Sequence, residues 1–152
     1  MYIVLSMKNF VALLFIVLIF VSLLPFTEGS PETRSLDITS LTITFDGTDA
    51  IFTANYDLGT FPKLYILLLG SKNIEPKINS IFSNFNYQII KMDQDKVILR
   101  VKNISRVIPG YYLHDSRKIG STIDKIYIYT PDSPLPKEYS NRNSTPDTFY
   151  RS

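Results

Sequence analysis

The chain has 152 residues, with 16 lysines and arginines against 14 aspartates and glutamates, so its formal net charge is +2. These charges are spread along the chain, which argues against the concentrated basic surface of a protein that binds DNA or RNA. There is no cysteine, which excludes disulfides, thiolate nucleophiles and iron–sulfur clusters. A hydrophobic content of 45% predicts a packed core.

The amino-terminal segment has the pattern of an export signal. Lys8 is followed by an uninterrupted apolar run over residues 10–24, and a polar stretch comes next. This order of charged, apolar and polar regions is typical of a signal peptide. The small residues at the end of the pattern predict cleavage between Gly29 and Ser30.

An uncleaved membrane anchor is the alternative. Residues 10–26 would form a transmembrane helix about 25 Å long, at the short end of what spans a bilayer. A buried helix of a soluble domain is disfavoured, because the run has no polar face. In either case Lys8 stays cytoplasmic and residues from about 30 onward lie outside, either secreted or anchored by a single N-terminal helix. Translation could start at Met1 or at Met7.

The predicted organisation is a signal peptide or anchor over residues 1–29, a linker over 30–35, an extracytoplasmic domain over 36–130 and a proline-rich extended tail over 131–152. Two sequons are compatible with this exposure and make Asn103 and Asn143 candidates for glycosylation.

Period-two alternation predicts most of the strands. The runs lie at residues 41–45, 50–56, 87–92, 96–101 and 124–130. Short turns rich in aspartate join the first run to the second and the third to the fourth, so two hairpins are expected.

Two helices are predicted between the hairpins. The first covers residues 61–70, where an early proline follows a capping threonine and a glycine ends the run. A buried strand remains the alternative there, because a fully apolar run has no readable period. The second covers residues 74–85, where isoleucines and phenylalanines recur at helical spacing. The expected fold is therefore α+β, an antiparallel sheet of hairpins with both helices packed on one face and an irregular C-terminal tail.

The run GYYLHDSRKIG, residues 110–120, contains the single histidine of the chain. We interpret it as a strand that enters a turn, where aspartate and serine bond to backbone amides. Ligand contact through Tyr111, Tyr112, His114 and Arg117 is the first alternative. Catalysis by His114 with Asp115 is the weaker one, because consecutive residues on a strand point in different directions and the chain has no G-x-S-x-G motif.

Other candidate sites are weaker still. The aspartates at 46, 49, 93 and 95 lack the full pattern of a calcium loop and fit hairpin turns. The basic residues between 96 and 106 have no aromatic platform beside them, so a solvated strand face is preferred to nucleic-acid contact. The glycines form no phosphate-binding or dinucleotide motif. No metal site and no cofactor is predicted.

Four stretches together resemble a known group of proteins: FDGTDAIFTANYDLG, LLLGSKNIEP, GYYLHDSRKIG and NSTPDTFY. The chain resembles small exported proteins of unknown function from methane-producing archaea, over nearly the whole exported part. The resemblance implies an archaeal cell envelope. It implies no activity, so no catalytic or binding residue is carried over.

We favour a non-enzymatic envelope protein that is structural or binds a partner. The expected partners are an envelope protein and, if residues 10–26 stay uncleaved, the membrane. The alternative is an extracytoplasmic hydrolase or metal-dependent enzyme centred on His114.

Overall fold

The computed structural model describes residues 36–58 and 74–151. Of these residues, 65% lie in strands and 7% in a helix, so the fold is mostly β and the predicted α+β class is wrong. The second predicted helix forms, but it is shorter than predicted: α1 covers only the seven residues Glu75–Ile81, about two turns. It ends early because Ser83 and Asn84, which favour turns, follow Phe82. The helix predicted over 61–70 lies outside the described residues.

Nine strands lie in the described ranges: β1 Asp37–Asp46, β2 Asp49–Asp57, β3 Tyr87–Met92, β4 Lys96–Val101, β5 Arg106–Ile108, β6 Tyr111–His114, β7 Lys118–Thr130, β8 Ser133–Ser144 and β9 Thr148–Tyr150. Six form a large sheet in the order β3-β4-β2-β1-β7-β8, and β5-β6-β9 form a small sheet. All neighbouring strands are antiparallel except β1 and β7, which run parallel inside the large sheet.

The core lies on one face of the large sheet, as the alternation in the sequence predicts. Ile43 of β1 pairs with Phe52 of β2, and both are fully buried. α1 and the turn after it cover this face, where the ring centroid of Phe52 lies 6.1 Å from that of Phe82 and 5.3 Å from that of Phe85. Burying each such side chain contributes roughly 1.5–3 kcal/mol.

Helix α1 packs closely against β7 at Gly120. A Cβ atom at this position would lie 2.7 Å from the carbonyl oxygen of Ser80 and 2.9 Å from the Cα atom of Ile81. Carbon atoms in contact normally lie about 3.5–4.0 Å apart. The helix can therefore reach this depth only because residue 120 has no side chain.

The irregular tail is the second incorrect part of the predicted fold, because strands β8 and β9 lie within residues 131–152. Among the described strands β8 pairs only with β7 and lies at the edge of the sheet. Pro134 and Pro136, which lack a backbone N–H, are tolerated at an edge, where one side of the strand has no neighbour to bond. These prolines, Lys137 and the positive φ of 52° at Asn141 are features that discourage another chain from pairing with the edge.

Within the ranges that the structure describes, no helix has the length and apolar composition needed to cross a membrane. The span predicted at residues 10–26 lies outside these ranges.

Candidate functional site

The run that the sequence singled out forms the central strand of the small sheet. Tyr111–His114 is β6, with β5 on one side and β9 on the other. Because side chains alternate along a strand, Tyr112 and His114 face the interior while Tyr111 and Leu113 face outward. The inner face packs on the large sheet through Tyr150 of β9, whose ring stacks on Tyr112 at a centroid distance of 5.6 Å.

His114 is completely buried at the junction of the two sheets. Its Nδ1 atom lies 3.1 Å from the carbonyl oxygen of Ile104, and its Nε2 atom lies 2.8 Å from the hydroxyl oxygen of Thr145. The ring also contacts Phe45, at a centroid distance of 5.3 Å. Both polar atoms of the imidazole therefore have a partner.

These partners fix the tautomer of His114. A carbonyl oxygen only accepts hydrogen bonds, so Nδ1 carries the proton and donates to Ile104. Nε2 is then an acceptor, and the Thr145 hydroxyl donates to it. The same hydroxyl oxygen accepts the backbone N–H of Arg117 at 3.0 Å. The result is a series of hydrogen bonds from the Arg117 amide through Thr145 and His114 to Ile104, in which both ring nitrogens and the threonine hydroxyl have partners.

Burial lowers the pKa of His114 below its usual 6.5, because an apolar environment penalises the charged ring. The hydrogen bond to Ile104 acts in the opposite direction but is weaker, and the nearby Arg117 adds to the lowering. The imidazole is consequently neutral at pH 7, as the tautomer requires.

A hydroxyl bonded to an imidazole is also the arrangement of a nucleophile and its general base. In this protein, however, neither His114 nor Thr145 has any exposed surface. A substrate cannot reach the hydroxyl while the domain is folded. The pair instead joins β6 to the segment after β8, which is a structural role.

The other candidate residues of the run do not converge on His114. Asp115 is exposed, and its carboxylate accepts a hydrogen bond from the Arg106 guanidinium at 3.0 Å. The backbone N–H of Arg117 bonds to the Thr145 hydroxyl, its side-chain charge acts on His114 only by electrostatic repulsion, and Tyr112 lies half-buried against Tyr150. Of the four predicted ligand contacts, Tyr111 lines a cavity on the outer surface.

That cavity is a groove of about 780 Å³ on the outer face of the small sheet, and it is lined by Ile108, Tyr111, Leu113, Asp132, Phe149 and Arg151. Tyr111 is 41% exposed and Phe149 is 69% exposed. We refer to this feature as the outer groove. The sequence predicted ligand contact for Tyr111 but not for the other residues of the outer groove, although alternation in residues 148–150 could have placed Phe149 opposite its two neighbours.

Charged groups surround the outer groove. The carboxylate of Asp132 accepts the backbone N–H of Arg151 at 3.2 Å, and its pKa is lowered chiefly by a hydrogen bond from Thr130 and also by that N–H. The ammonium of Lys137 lies 5.9 Å from the ring centroid of Phe149, within cation–π range. Two cations, Lys137 and Arg151, therefore flank an apolar floor, whereas the one carboxylate is already bonded to the protein.

The aspartates that resembled calcium-loop fragments lie at or beside hairpin turns: Asp46 and Asp49 flank the β1–β2 turn, and Asp93 and Asp95 lie between β3 and β4. Gly47 gives the β1–β2 turn its left-handed residue, with φ of 56°, and the Asp49 carboxylate accepts the backbone N–H of Asn103 at 3.0 Å. Asp93 begins the β3–β4 turn and pairs with Lys91 at 2.8 Å. Across the described residues, no three histidines, aspartates or glutamates come close enough together to hold a metal ion.

Comparison of the chain with family models, curated proteins and solved structures gives no match in any of the three. The site must therefore be interpreted from its own geometry.

Proposed function

We propose that this protein is an exported domain of the cell envelope that acts by binding a partner protein and not by catalysis. Residues 10–26 would hold it at the membrane, or cleavage near Gly29 would release it. The export pattern of residues 7–32 and the resemblance to exported archaeal proteins support the location. The geometry of the small sheet supports the mode of action.

The observation that carries the binding function is the exposure of Phe149. Its two neighbours in β9, Thr148 and Tyr150, are buried at 3% and 0% exposure, whereas Phe149 is 69% exposed. A large apolar side chain that lies beside Tyr111, Leu113 and Ile108 in one groove forms a contiguous patch. An exposed apolar cluster that lines a groove is a surface that a binding partner can cover.

The charges indicate what that molecule presents. The apolar floor fits an aliphatic or aromatic side chain, and the cations of Lys137 and Arg151 fit a carboxylate beside it. The partner that we propose is therefore an envelope protein with a segment that carries an apolar side chain next to an acidic one. Catalysis at His114 lacks comparable support, because the imidazole is buried and both of its nitrogens are engaged.

Site-specific photo-crosslinking in a methane-producing archaeal host tests this function. A photoreactive phenylalanine analogue at Phe149 should give one discrete adduct with a protein, and mass spectrometry should locate the crosslink in an acidic, apolar segment. Charge reversal by Lys137→Glu with Arg151→Glu should remove the adduct. The matched control is the same analogue at Ile90, which is 54% exposed on β3 of the large sheet.

Equal adducts at positions 149 and 90 would contradict a specific site, and so would an adduct that charge reversal leaves unchanged. An adduct with a lipid or a glycan would mean that the outer groove has a different kind of occupant.

The location is tested separately by fractionation and intact mass. A species that begins at Ser30 in the medium would mean cleavage and secretion, and a full-length species in the membrane fraction would mean an anchor. A full-length species in the cytoplasm would contradict export.

A further inference from the structure

The two sequons share a structural feature that bears on their modification. Each sequon requires a serine or threonine two residues after the asparagine, and here these residues are Ser105 and Thr145. Ser105 is 7% exposed and Thr145 is 0% exposed. In both sequons the asparagine itself is exposed.

The Ser105 hydroxyl is engaged with the C-terminal strand. Tyr150 lies with its hydroxyl oxygen 2.7 Å from the carbonyl oxygen of Gly47 and 2.8 Å from Oγ of Ser105. Since the carbonyl can only accept, the tyrosine donates to Gly47 and accepts from Ser105. The serine hydroxyl therefore points into the protein and already uses its proton.

The Thr145 hydroxyl is engaged in the same way. It donates to Nε2 of His114 and accepts the N–H of Arg117, as described above. The backbone N–H of Thr145 is also bonded, to the carbonyl oxygen of Arg117 at 2.9 Å. Neither the hydroxyl nor the backbone N–H of this residue is left for an enzyme to contact.

Glycan transfer needs the hydroxyl of the sequon for recognition and not for the chemical step. The amide nitrogen of the asparagine bonds to the anomeric carbon of a lipid-linked glycan, the bond from that carbon to the phosphate oxygen breaks, the amide loses a proton to a base, and the lipid phosphate leaves with the electron pair. The hydroxyl takes no part in this bond change. Its strict requirement in the sequon therefore means that the transferase recognises it by contact.

We propose that Asn103 and Asn143 accept glycans only on the unfolded chain. Transfer must come first, because folding buries both recognition hydroxyls. The finished modification is compatible with the fold, because both asparagine side chains lie at the surface. This inference goes beyond the binding function, although in the cell it depends on the proposed export.

The test uses the full-length chain in detergent, a purified oligosaccharyltransferase and its lipid-linked donor. The chain is supplied either native or diluted directly from urea, and site occupancy is measured by intact mass and peptide mapping. An N-x-T sequon on a flexible extension after Ser152 serves as an internal control that stays accessible in both states. We expect the unfolded chain to be modified at Asn103 and Asn143, and the native chain only at the extension.

Transfer to the native chain at Asn103 and Asn143 should be slower by about 10³-fold or more, because it must wait for the small unfolded population. Comparable rates at these sites and at the extension in native protein would overturn the proposal. Modification of the extension alone in both states would also overturn it, because the two sequons would then not be acceptors. The assay involves no cellular export or partner, so its outcome is independent of the proposed binding function.

Discussion

The close approach of α1 to β7 makes Gly120→Ala the sharpest test of the packing. The new Cβ atom would lie 2.7 Å from a carbonyl oxygen and 2.9 Å from a Cα atom of the helix backbone. Neither atom belongs to a flexible side chain that could rotate away. The helix must therefore move outward by about 0.7 Å to restore ordinary contact distances.

This displacement has two costs. Overpacking of this kind typically costs about 1–3 kcal/mol. Moving the helix also withdraws Ile78 and Phe82, both fully buried, from the sheet and forfeits about a quarter to a half of their dispersion contacts with it. We expect the free energy of unfolding to fall by about 3 kcal/mol.

Urea denaturation of the variant and of the natural chain measures this change. At a denaturant dependence of about 1.5 kcal/mol/M, the midpoint should fall by about 2 M without a change in slope. Thr122→Ala, at an exposed position of the same strand, is the control and should cost less than about 1 kcal/mol. A Gly120→Ala variant within 0.5 kcal/mol of the natural chain would refute the proposed depth of α1.

Three further predictions concern the junction of the two sheets. Burial lowers the folded-state pKa of His114 below 6.5, so on acidification the unfolded chain binds the extra proton first. The contribution of His114 to stability should be complete above pH 6.5, and the free energy of unfolding should fall by up to about 1.4 kcal/mol per pH unit as the pH drops towards the folded-state pKa. Denaturation at several pH values should show a smaller slope in His114→Gln. Thr145→Val leaves Nε2 of His114 and the N–H of Arg117 without partners, so thermal or urea unfolding should show a loss of about 2–4 kcal/mol, whereas Thr145→Ser should retain most of the stability. Tyr150→Phe removes a donor to Gly47 and an acceptor for Ser105 while keeping the ring stacking. The same measurements should show the free energy of unfolding reduced by about 1–3 kcal/mol. No reduction would mean that the hydroxyl is not bonded as described.

The two hairpins could be predicted because the information for them is local. Over residues 41–45 of β1 and 50–56 of β2 every second residue is apolar, and the turn between the strands contains Gly47, so strands, faces and connection all follow from about sixteen neighbouring residues. The same holds for β3 and β4. The predicted pairings are observed because they depend on neighbouring residues alone.

β8 could not be predicted because most of its residues are exposed and two are prolines. Its burial pattern has no period of two, so it lacks the usual signal of a strand. Its conformation depends on pairing with β7, which shields only one side of it. The tail therefore looked irregular when considered by itself.

The environment of His114 depends on contacts between distant residues. Its partners Ile104 and Thr145 lie 10 residues before it and 31 residues after it. The alternation in β6 predicts that His114 and Tyr111 lie on opposite faces, but four residues cannot indicate which face is covered. The outer groove is non-local for the same reason, since it combines residues from β5, β6 and β9 with the turn before β8.

The parallel pairing of β1 and β7 has a consequence for the order of events during synthesis. Ser40 of β1 pairs with Lys125 of β7, which is made 85 positions later. At roughly 5–20 residues per second, β1 waits on the order of 4–17 seconds for its neighbour, with its hydrogen-bonding edge open. The β1–β2 and β3–β4 hairpins can pair during this interval, but the half-finished sheet has an unpaired apolar strand as its border. Until β7 is made, β1 is therefore the strand at which premature association would begin.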